Sequence, residues 1–149
     1  MNNLSFHITD IMTNSIRAKA SEIGLFIEER DLRITIRIAD NGLGMDAGTI
    51  ARVINPFYTT RTTRKVGLGI PFLIQNAEQT GGAVSITSQP GKGTVVTASF
   101  CSNHIDCPPW GDLPGTVAML ITGNPDINIC FEYQAVKTVF SISTSEIKE

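Results

Sequence analysis

The chain has 149 residues, of which 42% are hydrophobic and 17% are charged, and its formal net charge is −2. This length allows one domain with its own hydrophobic core and excludes two domains of ordinary size. The composition excludes wholesale disorder. The charge balance excludes the basic excess of nucleic-acid-binding proteins, and without an apolar run of about twenty residues or a secretory signal we expect a cytoplasmic protein.

Residues 4 to 20 show the periodicity of an amphipathic helix, with apolar side chains on one broad arc. The opposite, polar stripe includes Asp10 and Asn14, which lie one helical turn apart on the same face. A carboxylate can orient or deprotonate a water, and an amide oxygen can coordinate a hard cation such as Mg²⁺. A solvated polar face is the alternative. The stripe consists of His7, Asp10, Asn14 and Arg17.

Two strands are predicted next, at residues 22–29 and 33–39, because the second alternates between isoleucine and polar side chains. The turn Asp40 to Gly44 follows directly, and a short helix is expected over residues 46–53. An aspartate at a strand end can accept a hydrogen bond from an amine such as that of adenine, and glycines allow another group to approach closely. A plain turn is the alternative, since Asp, Asn and Gly are common turn residues.

A polar stretch from residue 55 to 65 is expected to form a mobile loop, because it has too little apolar material to bury itself. A helix over residues 68–80 follows, with Gly67-Leu68-Gly69 at its start. Amides at a helix N-terminus without bulky side chains can bind an anion. No P-loop sequence occurs, and the glycines do not follow a strand as in a dinucleotide-binding turn. Three cations precede the helix: Arg61, Arg64 and Lys65.

The rest of the chain is predicted to contain one further helix and two hairpins. The order of the elements predicts an α+β fold in two layers, with helices on one face of a mixed, mostly antiparallel sheet. We expect a single domain over residues 1–149, in which residues 101–149 extend the sheet and core. The predicted ranges are 84–88 with 94–100, then 113–122, then 127–136 with 138–143.

The segment 101–149 has an alternative interpretation as a surface for a partner or a second copy, because it contains four aromatic residues: Trp110, Phe131, Tyr133 and Phe140. The segment has an odd number of cysteines without CxxC spacing, which is typical of reduced thiols. A metal site built from Cys101, His104 and Cys107 is not favoured, since it offers only three ligands. His104 to Asp106 is interpreted as a turn, and His7 as a packing residue.

Taken together, the polar segments resemble motifs of the GHKL superfamily, the ATP-binding domains of gyrase, Hsp90, histidine kinases and MutL. Asp10 to Ser15 resembles its N box, Asp40 to Gly44 its G1 box, and Gly67 to Gly69 its G2 box. Asn55 to Arg61 resembles the segment before the lid of histidine kinases, and Gly91 to Thr94 resembles their GxGT element. The resemblance covers residues 4 to 100 and is closest to the catalytic ATP-binding domain of histidine kinases.

The resemblance implies a two-layer sandwich of the Bergerat type that binds ATP with Mg²⁺. It implies that Asp40 binds the adenine amine with Thr94 nearby, and that Asn14 holds Mg²⁺ bridging the phosphates. Asp10 takes the position of the general base in hydrolytic members, which have a longer glutamate there. The other implied nucleotide contacts are Gly42 and Gly44 beside the nucleotide, Gly67, Leu68 and Gly69 around a phosphate, and Arg61 and Lys65 from the lid.

Three functions fit this resemblance. The first is a stand-alone ATP-binding module that acts with a partner protein, as a nucleotide-dependent regulator or detached kinase domain. The second is an active ATPase or a trans-acting protein serine or histidine kinase, for which small anti-sigma-factor kinases are a precedent. The third is an interaction protein that has lost nucleotide binding. We expect no nucleic acid or membrane partner, and a homodimer is an open alternative. Lys65 departs from the family, since many kinases have a glycine there.

Overall fold

A computed structural model describes residues 3–55, 69–135 and 138–143 of the chain. Within these ranges, the strands come in three consecutive pairs, and helices precede each pair. None of the helices in these ranges is both long and apolar enough to cross a membrane. The helices are α1 Leu4–Arg17, α2 Ala47–Val53, α3 Gly69–Gln79 and α4 Leu113–Gly123.

The strands are β1 Glu22–Arg30, β2 Arg33–Asp40, β3 Val84–Gln89, β4 Gly93–Cys101, β5 Asn128–Ala135 and β6 Thr138–Ser143. They form one mixed sheet in the order β3-β4-β2-β1-β5-β6. Neighbouring strands are antiparallel except for β1 and β5, which are parallel. The prediction of a mixed, mostly antiparallel sheet with two hairpins is therefore confirmed.

Helix α1 begins where several of its free amide groups find acceptors outside the helix. The side chain of Asn3 accepts a hydrogen bond from the amide of Phe6 at 2.7 Å, and the carbonyl oxygen of Pro109 accepts one from the amide of Leu4 at 2.8 Å. The helix ends at Arg17, before the predicted residue 20, because Lys19 adopts a left-handed φ of 64°.

One face of the sheet carries the core, and helices α1, α3 and α4 cover it. The registers Leu25 with Ile38 and Ile36 with Ala98 align buried side chains of β1, β2 and β4 on this face. The amphipathic periodicity of α1 supplies the facing side of the core, and the predicted two-layer arrangement is observed.

The C-terminal elements belong to the same sheet and core. Strand β5 pairs with β1 in parallel, so that Ile23 lies beside Ile129, and both are buried. Val117 and Ile121 of α4 are buried in the same cluster. The hydroxyl of Tyr133 on β5 also donates a hydrogen bond to the carboxylate of Glu29 on β1. Helix α4 and strand β5 therefore contribute directly to the scaffold that holds α1 and β2.

Candidate nucleotide-binding site

A pocket of about 200 Å³ lies at the end of β2, between α1 and the start of β4. Its walls are mostly apolar and carry a few polar side chains, which is typical of a small-molecule site. The pocket brings together Asn14, Asp40, Gly44 and Thr94 from three of the predicted motifs. The remaining lining residues are Ile11, Ser15, Ala18, Met45, Val53, Ile70 and Val96.

Asp40 is the anionic group of this pocket, and its carboxylate is held by two donors. The hydroxyl of Ser15 on α1 donates to Oδ2 at 2.6 Å, and the amide of Gly42 donates to Oδ1 at 2.9 Å. Two carboxylate oxygens provide about four acceptor positions, so Asp40 has capacity for a further donor such as an exocyclic amine. Ser15 lies in the segment that resembles the N box, but the sequence analysis predicted no contact for it.

Thr94 lies beside Asp40, because the two residues are partners in the register of β2 and β4. Ser88 is the partner of Thr94 on β3, and their hydroxyl oxygens are 2.7 Å apart. The hydroxyl of Ser88 also accepts a hydrogen bond from the amide of Met45 at 2.7 Å. Three neighbouring strands thus present a carboxylate and two hydroxyls in one row. Ser88 is a second residue that the sequence analysis missed.

The glycines of the turn after β2 have a packing role that is independent of any ligand. A Cβ atom on Gly42 would lie 2.7 Å from the carbonyl oxygen of Ala18, the residue that follows α1. Gly44 has a φ of +73°, and a Cβ atom there would lie 1.9 Å from the carbonyl oxygen of Gln89. The turn is therefore closely packed between α1 and the hairpin of β3 and β4. That these glycines also admit a nucleotide stays a prediction.

Asp10 and Asn14 lie on one face of α1, as their spacing predicts, and both are half-buried. Neither side chain has a hydrogen bond to another described residue. A Cβ atom on Gly69 would lie 3.1 Å from the Cβ atom of Asp10, so the start of α3 closely approaches this carboxylate. Burial raises the pKa of Asp10 above its usual value. Asn14 lines the pocket, and Asp10 lies one turn before it on the same face of α1.

Hard oxygen donors of this kind fit Mg²⁺, which prefers carboxylate, carbonyl and phosphate oxygens and keeps several of its waters. Only Asn14 of the pair lines the pocket itself. Among the described residues, no group of three or more His, Cys, Asp or Glu side chains could hold a metal ion. The structure therefore fits a metal that is bound through a ligand and one or two protein oxygens.

Four predicted contacts, Arg61, Lys65, Gly67 and Leu68, lie outside the described residues. The same is true of most of the segment that was expected to form a loop. Of the predicted phosphate-binding glycines, only Gly69 is described, and it faces Asp10. The contributions of the other residues stay predictions.

Both histidines lie away from the pocket lining. His7 is buried with 2% of its surface exposed, which agrees with its interpretation as a packing residue. His104 is exposed, and its Nδ1 atom accepts a hydrogen bond from the amide of Asp106 at 3.0 Å. The amide of Cys107 donates to the carbonyl oxygen of His104 at 3.0 Å, so this stretch is a turn, as predicted.

Comparison with known proteins connects this geometry to one family. The model of the family described as histidine kinase-, DNA gyrase B-, and HSP90-like ATPase matches residues 3–103. Sensor histidine kinase YxdK of Bacillus subtilis is 30% identical over 106 residues, which cover 65% of this chain and 32% of that protein. Sensor protein kinase FleS of Pseudomonas aeruginosa is 35% identical over 93 residues, which cover 60% of this chain and 23% of that protein.

These relatives are much longer, since the chain spans about a third or less of their length. A solved structure, the N-terminal domain of a DNA repair protein, superposes with a TM-score of 0.56 at 17% identity. The superposition covers 95% of this chain and 53% of that one. The likeness in fold therefore extends beyond residue 103 into the C-terminal elements.

Proposed function

The chain belongs to the family of histidine kinase-, DNA gyrase B- and HSP90-like ATPases, and from this we propose that it binds ATP with Mg²⁺ in the Asp40 pocket and acts as a nucleotide-dependent regulatory or kinase module on a partner protein. The observation that supports this proposal best is the position of Asp40. Its carboxylate is held by two donors, still has acceptor capacity and lines a mostly apolar pocket.

Recognition of the base would depend on two features of the pocket. Asp40 accepts a hydrogen bond from the exocyclic amine of adenine, and a charged acceptor makes such a bond stronger than a neutral one does. The aromatic faces of the base pack between apolar side chains, which lose contact with water on binding. The apolar lining residues available for this are Ile11, Met45, Val53, Ile70 and Val96.

The phosphates would lie toward α1 and the start of α3. Asn14 offers an amide oxygen to Mg²⁺, which when bound neutralises phosphate charge. Arg61, Lys65 and the amides of Gly67 to Gly69 are proposed to contact the phosphates from the other side. Binding would then connect α1 to α3, and a partner that prefers the connected arrangement would respond to the nucleotide.

Catalysis is the second candidate function, as an ATPase or as a protein kinase that acts in trans, and Asp10 is the observation that favours it. Its carboxylate is half-buried, has no hydrogen bond to the described residues and lies next to Gly69. Burial raises the pKa of this carboxyl group, which strengthens it as a general base. The side chain is one methylene shorter than the glutamate of hydrolytic members, and we expect slow turnover.

Calorimetry with ATP, in the presence and absence of Mg²⁺, tests the binding proposal. We expect saturable binding that Mg²⁺ strengthens, and we expect the Asn14→Ala variant to lose most of this Mg²⁺ dependence. Asn128→Ala is the matched control, because Asn128 is exposed on β5 and does not line the pocket. Absence of heat at millimolar ATP with folded protein would favour an interaction protein without nucleotide binding.

Release of ADP by the wild type and by the Asp10→Asn variant separates the two functions. If turnover occurs and depends on Asp10, the chain is an enzyme. If ATP binds but neither ADP nor a labelled cellular protein appears, the role of a nucleotide-gated module is supported and catalysis is ruled out.

A further inference from the structure

A buried polar pair connects α1 to α3 behind the proposed nucleotide site. Nε2 of His7 on α1 lies 2.7 Å from Nδ2 of Asn76 on α3. The exposed fractions of the two side chains are only 2% and 5%. Polar groups are costly to bury, and an apolar pair of similar size would stabilise this position without that cost. The pair therefore requires an explanation other than stability.

The surroundings of His7 keep its ring neutral and fix its orientation. The ring of Phe72, also on α3, has its centroid 5.1 Å from that of His7, and the ring of Phe100 stacks on it at 6.5 Å. Burial among these rings lowers the pKa of His7 to about 4. Since the amide of Asn76 donates to Nε2, the proton of the neutral ring is on Nδ1.

That Nδ1 atom is buried and has no hydrogen-bond partner among the described residues. His7 lines a small apolar cavity of about 10 Å³, which shares Ile11 and Val96 with the lining of the nucleotide pocket. An unsatisfied buried donor is rare and lowers stability. The hydrogen bond from Asn76 to Nε2 is therefore the hydrogen bond that the described residues give to this ring.

The position of the pair connects it to the site. His7 lies one turn before Asp10 on α1, and Asn76 lies two turns after Gly69 on α3. The contacts between the two helices thus include Asp10 with Gly69 near the site and His7 with Asn76 farther from it. A directional hydrogen bond between His7 and Asn76 limits rotation and sliding of α3 against α1, which apolar packing alone restricts less.

We propose that His7 is a positioning residue that, through its hydrogen bond to Asn76, sets how the start of α3 faces Asp10 and Asn14. The inference rests on the proposed nucleotide site, which lies between these helices. His7 itself does not touch the nucleotide. Its role is to hold the two helices in the arrangement in which Asp10 closely approaches Gly69.

The test uses His7→Leu, Asn76→Leu and the double variant. Each single variant leaves a buried polar partner behind and should melt earlier than the wild type. The double variant replaces both partners with apolar groups and should recover most of the melting temperature. If His7 had only a structural role, the double variant would recover nucleotide binding together with stability.

For a positioning residue, we expect the double variant to remain roughly two- to thirtyfold weaker in ATP affinity, the range of long-range coupling in folded proteins. The backbone amide resonances of Asp10 and Gly69 should also shift in nucleotide-free protein. Thr80→Val is the matched control, because Thr80 is a buried polar residue just after α3 and bonds the amide of Cys101. It should lower stability without shifting either resonance.

Wild-type resonances and wild-type ATP affinity in the double variant would overturn the proposal. If the wild type itself binds no ATP, the proposed function fails separately. The amide resonances of Asp10 and Gly69 then decide the positioning role alone, since they need no nucleotide.

Discussion

Two carboxylates lie on the helix-covered face of the sheet, at opposite ends of the antiparallel pair β1 and β2, and they have different surroundings. Glu29 accepts a hydrogen bond from the hydroxyl of Tyr133, which joins β5 to β1. Asp40 accepts one from the hydroxyl of Ser15 and borders a pocket. A hydroxyl group donates to the carboxylate at both ends, and among the described residues Asp40 lines an open pocket of about 200 Å³. This pocket is the feature on which the proposed site depends.

The largest effect is expected at the Asp40 end from Gly44→Ala. The new methyl group would clash with the carbonyl oxygen of Gln89, and alanine would have to adopt an unfavourable positive φ. We therefore expect the free energy of unfolding to fall by about 2–4 kcal/mol. Chemical denaturation measures this. Gly48→Ala is the control, because Gly48 lies in α2, where a Cβ atom would make an ordinary contact with Oδ1 of Asp46 at 3.6 Å, and this variant should lose no stability. Equal behaviour of the two variants would show that the turn is not tightly packed.

At the Glu29 end, Tyr133→Phe should lower the free energy of unfolding by about 1–2 kcal/mol, because it removes a hydrogen bond to a charged acceptor. ATP affinity should be unchanged. The bond raises the pKa of Tyr133 to about 12, above its unfolded value near 10. Its contribution is therefore complete below pH 10 and is lost as the pH rises through 12.

Denaturation of both proteins between pH 9 and about pH 12 measures this difference. The gap in stability between wild type and Tyr133→Phe should close at the alkaline end. A gap that stays constant with pH would mean that the hydroxyl does not stabilise the fold through Glu29.

The smallest effect is expected from Ser15→Ala, which removes one of the two donors to Asp40. We expect ATP affinity to fall by about 1 kcal/mol, or roughly fivefold, because Asp40 loses orientation but keeps its charge and its bond to Gly42. A calorimetric titration measures the change. Ser21→Ala serves as the control, since Ser21 is exposed outside the pocket. An unchanged affinity in Ser15→Ala would show that Gly42 alone orients the carboxylate.

Local pattern was sufficient to predict most of the strands and the position of Asp40. The alternation of Ile34, Ile36 and Ile38 defines β2, and the glycines after it define the turn. The end of α1 was less predictable, because the left-handed φ of Lys19 leaves no signal in apolar periodicity.

The remaining features depend on contacts between distant segments. The parallel pairing of β5 with β1 joins residues about a hundred positions apart, and no local preference specifies it. Helix packing places the hydroxyl of Ser15 within hydrogen-bond distance of Asp40. Strand register does the same for the hydroxyls of Ser88 and Thr94. Serine is common enough on helices and strands that its type alone does not indicate such a role.

The most direct test of the account is the affinity for ATP with Mg²⁺ of Asp40→Asn compared with Glu29→Gln. Both substitutions remove a carboxylate from the same face of the sheet, and both change the net charge by the same amount. We predict a loss of roughly ten- to 150-fold for Asp40→Asn, as expected when a charged acceptor is removed, and no change for Glu29→Gln. Equal affinities in the two variants, with both proteins folded, would contradict the proposal that Asp40 binds the adenine amine.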